Sequence, residues 1–417
     1  MLKTYKHYNV AVVGGGPAGI MAAIFAARAD ASVVLLEKNE AVGRKILATG
    51  NGRCNITNRN IPISRYHGSD ITFAEPIFAD FGSHETIEFF ESIGVLLKEE
   101  DRGRIFPRTD QASTVVNALR AELTKYDVTI HTGFTVKRLE PGEPWHISDE
   151  NGKQITADKV ILTTGGKAAH QFGSSGDGLF WAKNFGHEIV PIHAALVPLE
   201  TTDDFVKDIM GIRLVAHVSL LADGKLIASR DGDILFTHYG ISGPAAMGLA
   251  REVDPLLIAG RKAELSIDMM PDLTAEKLDE TIVGLAAADG KKAVKTLLAG
   301  VLPKKLVPHI LATCRIKDNQ KAAEISKSVR QDIVSTIKDF RLGISKVRPL
   351  KEAQVTAGGI TTSEVTPNLE SKIVPGLYFA GEILDIDGDS GGFNLQWAWS
   401  SGKVAGEAAA RGAISLF

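Results

Sequence analysis

Gly14, Gly16 and Gly19 follow the apolar run Val10-Ala11-Val12-Val13 and open directly into a second apolar stretch, Ile20 to Ala29. The order predicts a strand, a tight turn and a helix. Gly14 permits the turn, Gly16 lets the backbone come close to a diphosphate, and Gly19 lets the helix pack on its strand. Pro17 and Ala18 occupy the first helical positions, where free N–H groups and the positive end of the helix dipole face phosphate charge. A second apolar run, Ser32 to Leu36, ends in Glu37, placed where a carboxylate accepts hydrogen bonds from ribose hydroxyls. Strand, glycines, helix, strand and acid in one βαβ unit describe a dinucleotide site, for NAD or for FAD.

Two later segments favour FAD. Val160-Ile161-Leu162-Thr163-Thr164-Gly165-Gly166 reads as a buried strand ending in Thr-Gly-Gly. Gly376 to Glu382 reads as another, closed by Gly381-Glu382 and followed by Gly391-Gly392-Phe393-Asn394-Leu395-Gln396 at the start of a last helix. Such strands are expected to return to the first sheet, so the cofactor domain is built from both ends of the chain. The middle holds no second G-x-G-x-x-G with a following acid, and no Cys-x-x-Cys, so a separate nicotinamide domain and a redox disulfide are not expected.

Five further segments carry a resemblance: Gly43 to Asn58, Gly103-Arg104-Ile105-Phe106-Pro107, Phe236 to Pro244, Val355 to Ile360, and Leu369 to Lys372 continued by Gly376 to Gly402. On these residues the chain resembles the bacterial flavoprotein family that includes aminoacetone oxidase and the bile-acid reductase of gut bacteria, over residues 8 to 412. It departs at Asn51, where the family has Gly, and around Asn368. The resemblance implies an α/β fold with a Rossmann-like FAD-binding domain, and short strands with turns between Leu214 and Met269, followed by helical patterns from Thr274 to Phe340, predict an inserted antiparallel, barrel-like β domain carrying a small helical subdomain. It also implies FAD contacts at Lys38, Arg44, Lys45, Thr49, Gly50, Asn51, Gly52, Asn55, Val136, Thr164, Gly165, Gly166, Asp177, Gly381, Glu382, Gly392, Phe393, Asn394 and Leu395, beside those of the first unit. Arg44 and Lys45 would meet phosphate or flavin oxygens, and the helix after Gly392 would turn its positive end to the flavin. Gly173 to Leu179 resembles a loop of the fumarate-reductase and succinate-dehydrogenase group, compatible with hydride transfer to an activated C=C bond.

At 417 residues the chain exceeds one ordinary core. Residues 1–190 and 351–417 are expected to form the FAD domain, 191–271 and 341–350 the β domain, and 272–340 the helical part. In the β domain, turns are expected at Ala222-Asp223-Gly224 and Asp231-Gly232. The insertion would roof the flavin and select the substrate, with Arg104, Arg108, His238 and Tyr239 as candidate contacts. No catalytic acid or base stands out. A net charge of −3 gives no footprint for nucleic acid or an anionic membrane, so neither is expected as a partner. Residues 1–9 lack the apolar core of a signal peptide, and Cys54 and Cys314 read as free thiols of a cytoplasmic protein. No metal site is expected; Asp387 and Asp389 read as a turn. The expectation is thus an FAD oxidoreductase moving a hydride between flavin N5 and an amine, ketone or activated C=C, with NAD(P)H as a transient reductant entering through the substrate opening. The alternative is a flavin-binding sensor or RNA-associated flavoprotein.

Overall fold

The computed structural model describes residues 5–414; the outermost residues of the expected FAD domain, 1–4 and 415–417, lie outside them. Contacts divide the chain into two units. One comprises the described residues up to His193 together with those from Gln354 onward; the other is Ala194–Ala353.

The first unit is organised by a seven-stranded sheet. Strand β1 (Lys6–Val13) leads into helix α1 (Pro17–Arg28) and strand β2 (Val33–Leu36). Strands β3 (Thr129–His131), β4 (Val136–Glu140), β5 (Trp145–Asp149) and β6 (Gln154–Leu162) follow, in the order β3-β2-β1-β6-β5-β4. Helix α2 (Asp177–Asn184) precedes a two-stranded sheet of β7 (Ile189–Ala195) and β8 (Val355–Ile360). Strand β9 (Leu377–Phe379) then adds to the large sheet in parallel, Leu162 opposite Phe379. β1 is parallel to both β2 and β6, with Val13 opposite Leu36 and Leu162. The loops after Val13, Leu36, His131, Leu162 and Phe379 therefore leave the same, carboxyl edge of the sheet, where open α/β sheets bind ligands.

The strand interiors β1, β2 and β6 are near-continuous Val, Ile, Leu and Ala because the parallel sheet is covered on both faces. Helix α3 (Phe393–Ile414) lies along α1 at very short range. A Cβ on Gly402 would stand 2.4 Å from the Ala18 carbonyl oxygen, and one on Gly406 2.3 Å from that of Ala22. Small residues on both helices thus allow backbone contact, and α3 holds the start of α1 in place.

In the second unit, strands Leu199–Thr201, Arg213–Ala222, Lys225–Phe236, Gly240–Ser242, Ala263–Asp268 and Phe340–Val347 close into an antiparallel barrel. Alternate residues point inward: Ala216, Val218, Leu220 and Ala222 on one strand, Ala263, Leu265 and Ile267 on the next, Phe340, Leu342 and Ile344 on the last. The expected turn at Asp231-Gly232 is corrected. Strand Lys225–Phe236 runs straight through it, with Asp231 opposite His217 and Gly232 opposite Ala216; the ladder of the long partner strand overrides a local turn signal. The reversal at Asp223-Gly224 is present between those two strands. Helices Ala275–Ala288, Val294–Leu298, Val307–Thr313 and Lys327–Lys338 occupy the stretch between the last two barrel strands. Thr274 and Ser326 cap the longest two, each hydroxyl accepting a backbone N–H at 3.2 Å. Among the described residues no helix is long and apolar enough to cross a membrane.

Candidate dinucleotide site

The turn between β1 and α1 is closely packed at Gly14, Gly15 and Gly19 and open at Gly16. The Gly14 N–H donates to the Leu36 carbonyl at 2.8 Å. A Cβ on Gly14 would lie 2.7 Å from the Thr163 carbonyl oxygen, and one on Gly19 would lie 1.8 Å from that of Gly14. Neither position accepts a side chain. Gly16 differs: a Cβ there would meet nothing within 4 Å, although the residue is the N-cap of α1. No side chain caps that helix, and its first turn holds no acid. Open space in front of unshared N–H donors at the positive end of a helix suits a diphosphate.

Glu37 and Glu382 flank this turn. One Glu37 oxygen accepts the Gly15 N–H at 2.7 Å; the other accepts the backbone and side-chain N–H groups of Asn39 at 2.7 and 2.6 Å. The Glu37 carbonyl takes the Phe134 N–H at 2.9 Å, which brings the start of β4, with Val136, beside the acid. Glu382 accepts the Thr356 N–H at 2.7 Å and pairs with the Lys45 ammonium through its other oxygen. A Cβ on Gly165 would be 3.5 Å from that oxygen, and one on Gly381 would be 2.8 Å from the Ala18 methyl. Segments near residues 14, 45, 165, 356 and 382 therefore converge on one edge of the sheet. The Gly15 carbonyl also takes the Gly43 N–H at 2.8 Å, tying the basic loop to the first glycine turn.

Several sequence-selected side chains are already committed elsewhere. Lys38 and Asp177 pair at 3.0 Å, with Ser175 bonded between them. Burial raises the Asp177 carboxyl, but the Ser175 hydroxyl and Lys38 outweigh it and hold the group below its ordinary value. Arg44 donates to the Asn39 side-chain oxygen at 3.2 Å, and the Thr49 hydroxyl to the Ile46 carbonyl at 2.7 Å. Gly50 and Asn51 both adopt the left-handed conformation in the turn Thr49–Gly52, so an Asn in place of Gly fits there. The Thr164 hydroxyl is buried without a partner against Gly178, and Asn55 keeps a buried, unpartnered side-chain oxygen. Gly166 packs on Thr356, and Gly392 on the backbone of Thr57. Phe393 and Leu395 are core residues, whereas Asn394 bonds the backbone of Gly388 and Asp389; the turn expected at Asp387 is corrected, because Asp387-Gly388 is a short strand antiparallel to Tyr66-His67. Asp389 faces Arg65 and His67 at 3.0 and 2.9 Å, and Asp385 accepts the Ser69 N–H. Cys54 is buried; desolvation pushes its thiol up to about 12, so it is a packed neutral group and not a nucleophile.

Of the candidate substrate contacts, Arg104 and Arg108 belong to the first unit, where Arg104 donates to the Asp101 carbonyl at 3.1 Å. His238 and Tyr239 belong to the second; their rings meet edge to face and Arg348 stacks on Tyr239. The sequence reading missed three positioning groups. Asn39 holds Glu37 and the Phe172 carbonyl, and Thr356 donates to Glu382 while accepting the Lys167 and Ala168 N–H groups. The Ser401 hydroxyl receives the Gly381 N–H at 2.9 Å. Thr356 stood inside a motif whose order was visible, and only its pairing across the fold was not.

Residues 8–408 match the family described as HI0933-like protein Rossmann domain, and the chain belongs to that family. It is similar to the 3-dehydro-bile acid delta(4,6)-reductase of Clostridium scindens, 39% identical over 405 residues, 96% of this chain and 99% of the relative. It is also similar to the ribosomal RNA dihydrouridine synthase of Escherichia coli, 30% identical over 398 residues, 95% and 96% of the two chains. Among solved structures, a 3-ketosteroid-delta4-(5alpha)-dehydrogenase from Rhodococcus jostii RHA1 shares the fold, with 17% identity, a TM-score of 0.50 and 98% of both chains covered. The chain is a flavoprotein oxidoreductase. The expectation of no nucleic-acid partner is corrected, because a relative spanning nearly the whole chain is named for ribosomal RNA. A charge summed over the whole chain conceals how it is distributed.

Proposed function

We propose that this member of the HI0933-like family binds FAD at the carboxyl edge of its parallel sheet and reduces a C=C bond conjugated to a carbonyl. What carries the reading is the convergence of an open, uncapped α1 terminus at Gly16 with Glu37 and Glu382, both held by backbone N–H groups. The N–H groups at the start of α1 would take the diphosphate, Glu37 the ribose hydroxyls, and Lys45, Gly165, Gly381 and Glu382 the far half of the cofactor. Bound there, FAD supplies hydride transfer at N5, and the protein supplies orientation and exclusion of water. Lys45 offsets the charge of Glu382, and the Thr356 N–H fixes the carboxylate's rotamer.

The relatives support the substrate class. The names of both describe loss of a double bond, in a bile-acid skeleton and in the uracil ring of RNA, and both bonds are conjugated to a carbonyl. A small enone is the first reading, on the higher identity. A uracil base in RNA is the second, favoured by the Escherichia coli relative. NAD(P)H would serve as a transient reductant sharing the substrate opening. Anaerobic stopped-flow reduction by NADPH tests this part: slow reduction, competitively inhibited by the saturated ketone cyclohexanone, which takes no hydride from the flavin, is expected. Fast reduction insensitive to the ketone would require a separate nicotinamide site.

A further inference from the structure

Charge is distributed unevenly along this chain. Of its 47 basic and 50 acidic residues, 15 and 4 fall within residues 291–351, leaving 32 and 46 elsewhere. This stretch lies in the second unit, and its basic residues are spread over the helices, the segments between them and the last barrel strand. Part of it is neutralised locally. Lys295 pairs with Asp318 at 2.6 Å, Arg330 with Asp279 at 2.5 Å, Lys338 with Asp268 at 2.5 Å, and Arg348 with Glu200 at 2.6 Å.

Four more of the 15 are brought near one another by the backbone. Residue Ala293 forms a bridge with Lys321, and the Ala322 N–H donates to the Lys292 carbonyl at 2.8 Å. The Val294 N–H donates to the Gln320 carbonyl at 2.9 Å. These bonds lay segment 291–294 antiparallel to segment 320–322. Lys291 and Lys321 thereby share one face of the tie, Lys292 lies on its other face, Lys317 stands at the turn before Gln320, and all four are exposed. Of the acids beside them, Asp318 is paired with Lys295, and Glu324 accepts the Lys321 N–H at 3.0 Å; Asp289 is exposed at the end of the preceding helix.

We infer that this lysine cluster is a docking surface for the phosphate backbone of RNA. Exposed lysines on a backbone tie, outnumbering the carboxylates beside them, give the sequence-independent attraction that positions a nucleic acid, while base chemistry is read elsewhere. A free small enone needs no such surface. The inference therefore rests on the RNA reading above and identifies where that partner is held.

The test uses the full-length holoprotein and a fluorescein-labelled RNA hairpin with a uridine loop, followed by anisotropy from about 50 to about 200 mM salt. The double variant Lys292→Glu/Lys321→Glu is expected to weaken binding by about tenfold and to lower the salt slope by about 1.4, the share of two phosphate contacts. Lys292→Gln/Lys321→Gln should lose less, in the same direction. A control pair on the barrel, Lys225→Glu/Lys262→Glu, should bind as the wild type does. Flavin reoxidation by cyclohexenone, measured in all four proteins, reports the redox reading independently. No RNA binding by the wild type overturns the RNA reading and the docking surface with it; RNA binding that is lost equally in the cluster and barrel variants overturns the docking surface alone.

Discussion

The acids closest to the glycine turns are buried or half-buried and answered by backbone N–H groups, Glu37 by Gly15 and Glu382 by Thr356. In the barrel unit the corresponding charge sits on exposed lysines whose side chains reach into water. The contrast fits what each surface is proposed to hold. A small cofactor of fixed shape rewards groups already oriented before it arrives, since little side-chain entropy is then lost. A long polyanion has no single pose, and flexible exposed cations suit it.

The largest effect expected from breaking this contrast is on stability alone. Phe340 lies in the barrel core against Phe205, Phe236 and His309. Phe340→Ala should destabilise the protein by about 3–5 kcal/mol. At temperatures where the variant is folded, its flavin content should equal the wild type's, as read by absorbance per chain. Gly19→Ala should cost about 3 kcal/mol, because its methyl would collide with the Gly14 carbonyl. Here the flavin should be lost before the fold, so calorimetry and absorbance separate the two units.

Glu37→Gln should weaken FAD binding by about 1.5–3 kcal/mol, the range for hydrogen bonds to a charged group. Unchanged FAD affinity would make Glu37 a brace for the Gly15 turn only.

The smallest effect is on pH dependence. His187 is buried between Glu364 and Ser371 at 3.1 and 2.8 Å, and His309 is stacked on Phe205. Burial lowers both below the ordinary 6.5, although Glu364 and Asp203 pull the other way. The unfolded chain then binds protons first as pH falls through 6.5, so stability is full above that value and declines below it. His187→Gln should flatten the pH profile of Tm, and His309→Gln should flatten it independently if the units titrate separately.

Much of the site was legible because its signals are local. Gly14, Gly16, Gly19 and Glu37 lie within one βαβ unit, and periodicity alone orders them. The return of Leu377–Phe379 to the first sheet was legible from an apolar run closed by Gly-Glu. What was not legible depends on pairing across the chain. Thr356 braces Glu382, and Ser401 braces Gly381, over 20 or more residues. The Asp231-Gly232 turn failed because a twelve-residue strand paired along its length outweighs two turn-forming residues. The excess of 15 basic over 4 acidic residues at 291–351 was present in the sequence, but a whole-chain net charge averaged it away.

The most direct test of the central claim begins with the purified holoprotein. Its flavin is released by denaturation and identified, and a second portion is reduced anaerobically and mixed with cyclohexenone, cyclohexanone or uridine-containing RNA. The account predicts FAD, with saturable reoxidation by the enone or the RNA and none by the saturated ketone. FMN, no flavin, or reduced protein that neither conjugated substrate reoxidises would contradict it.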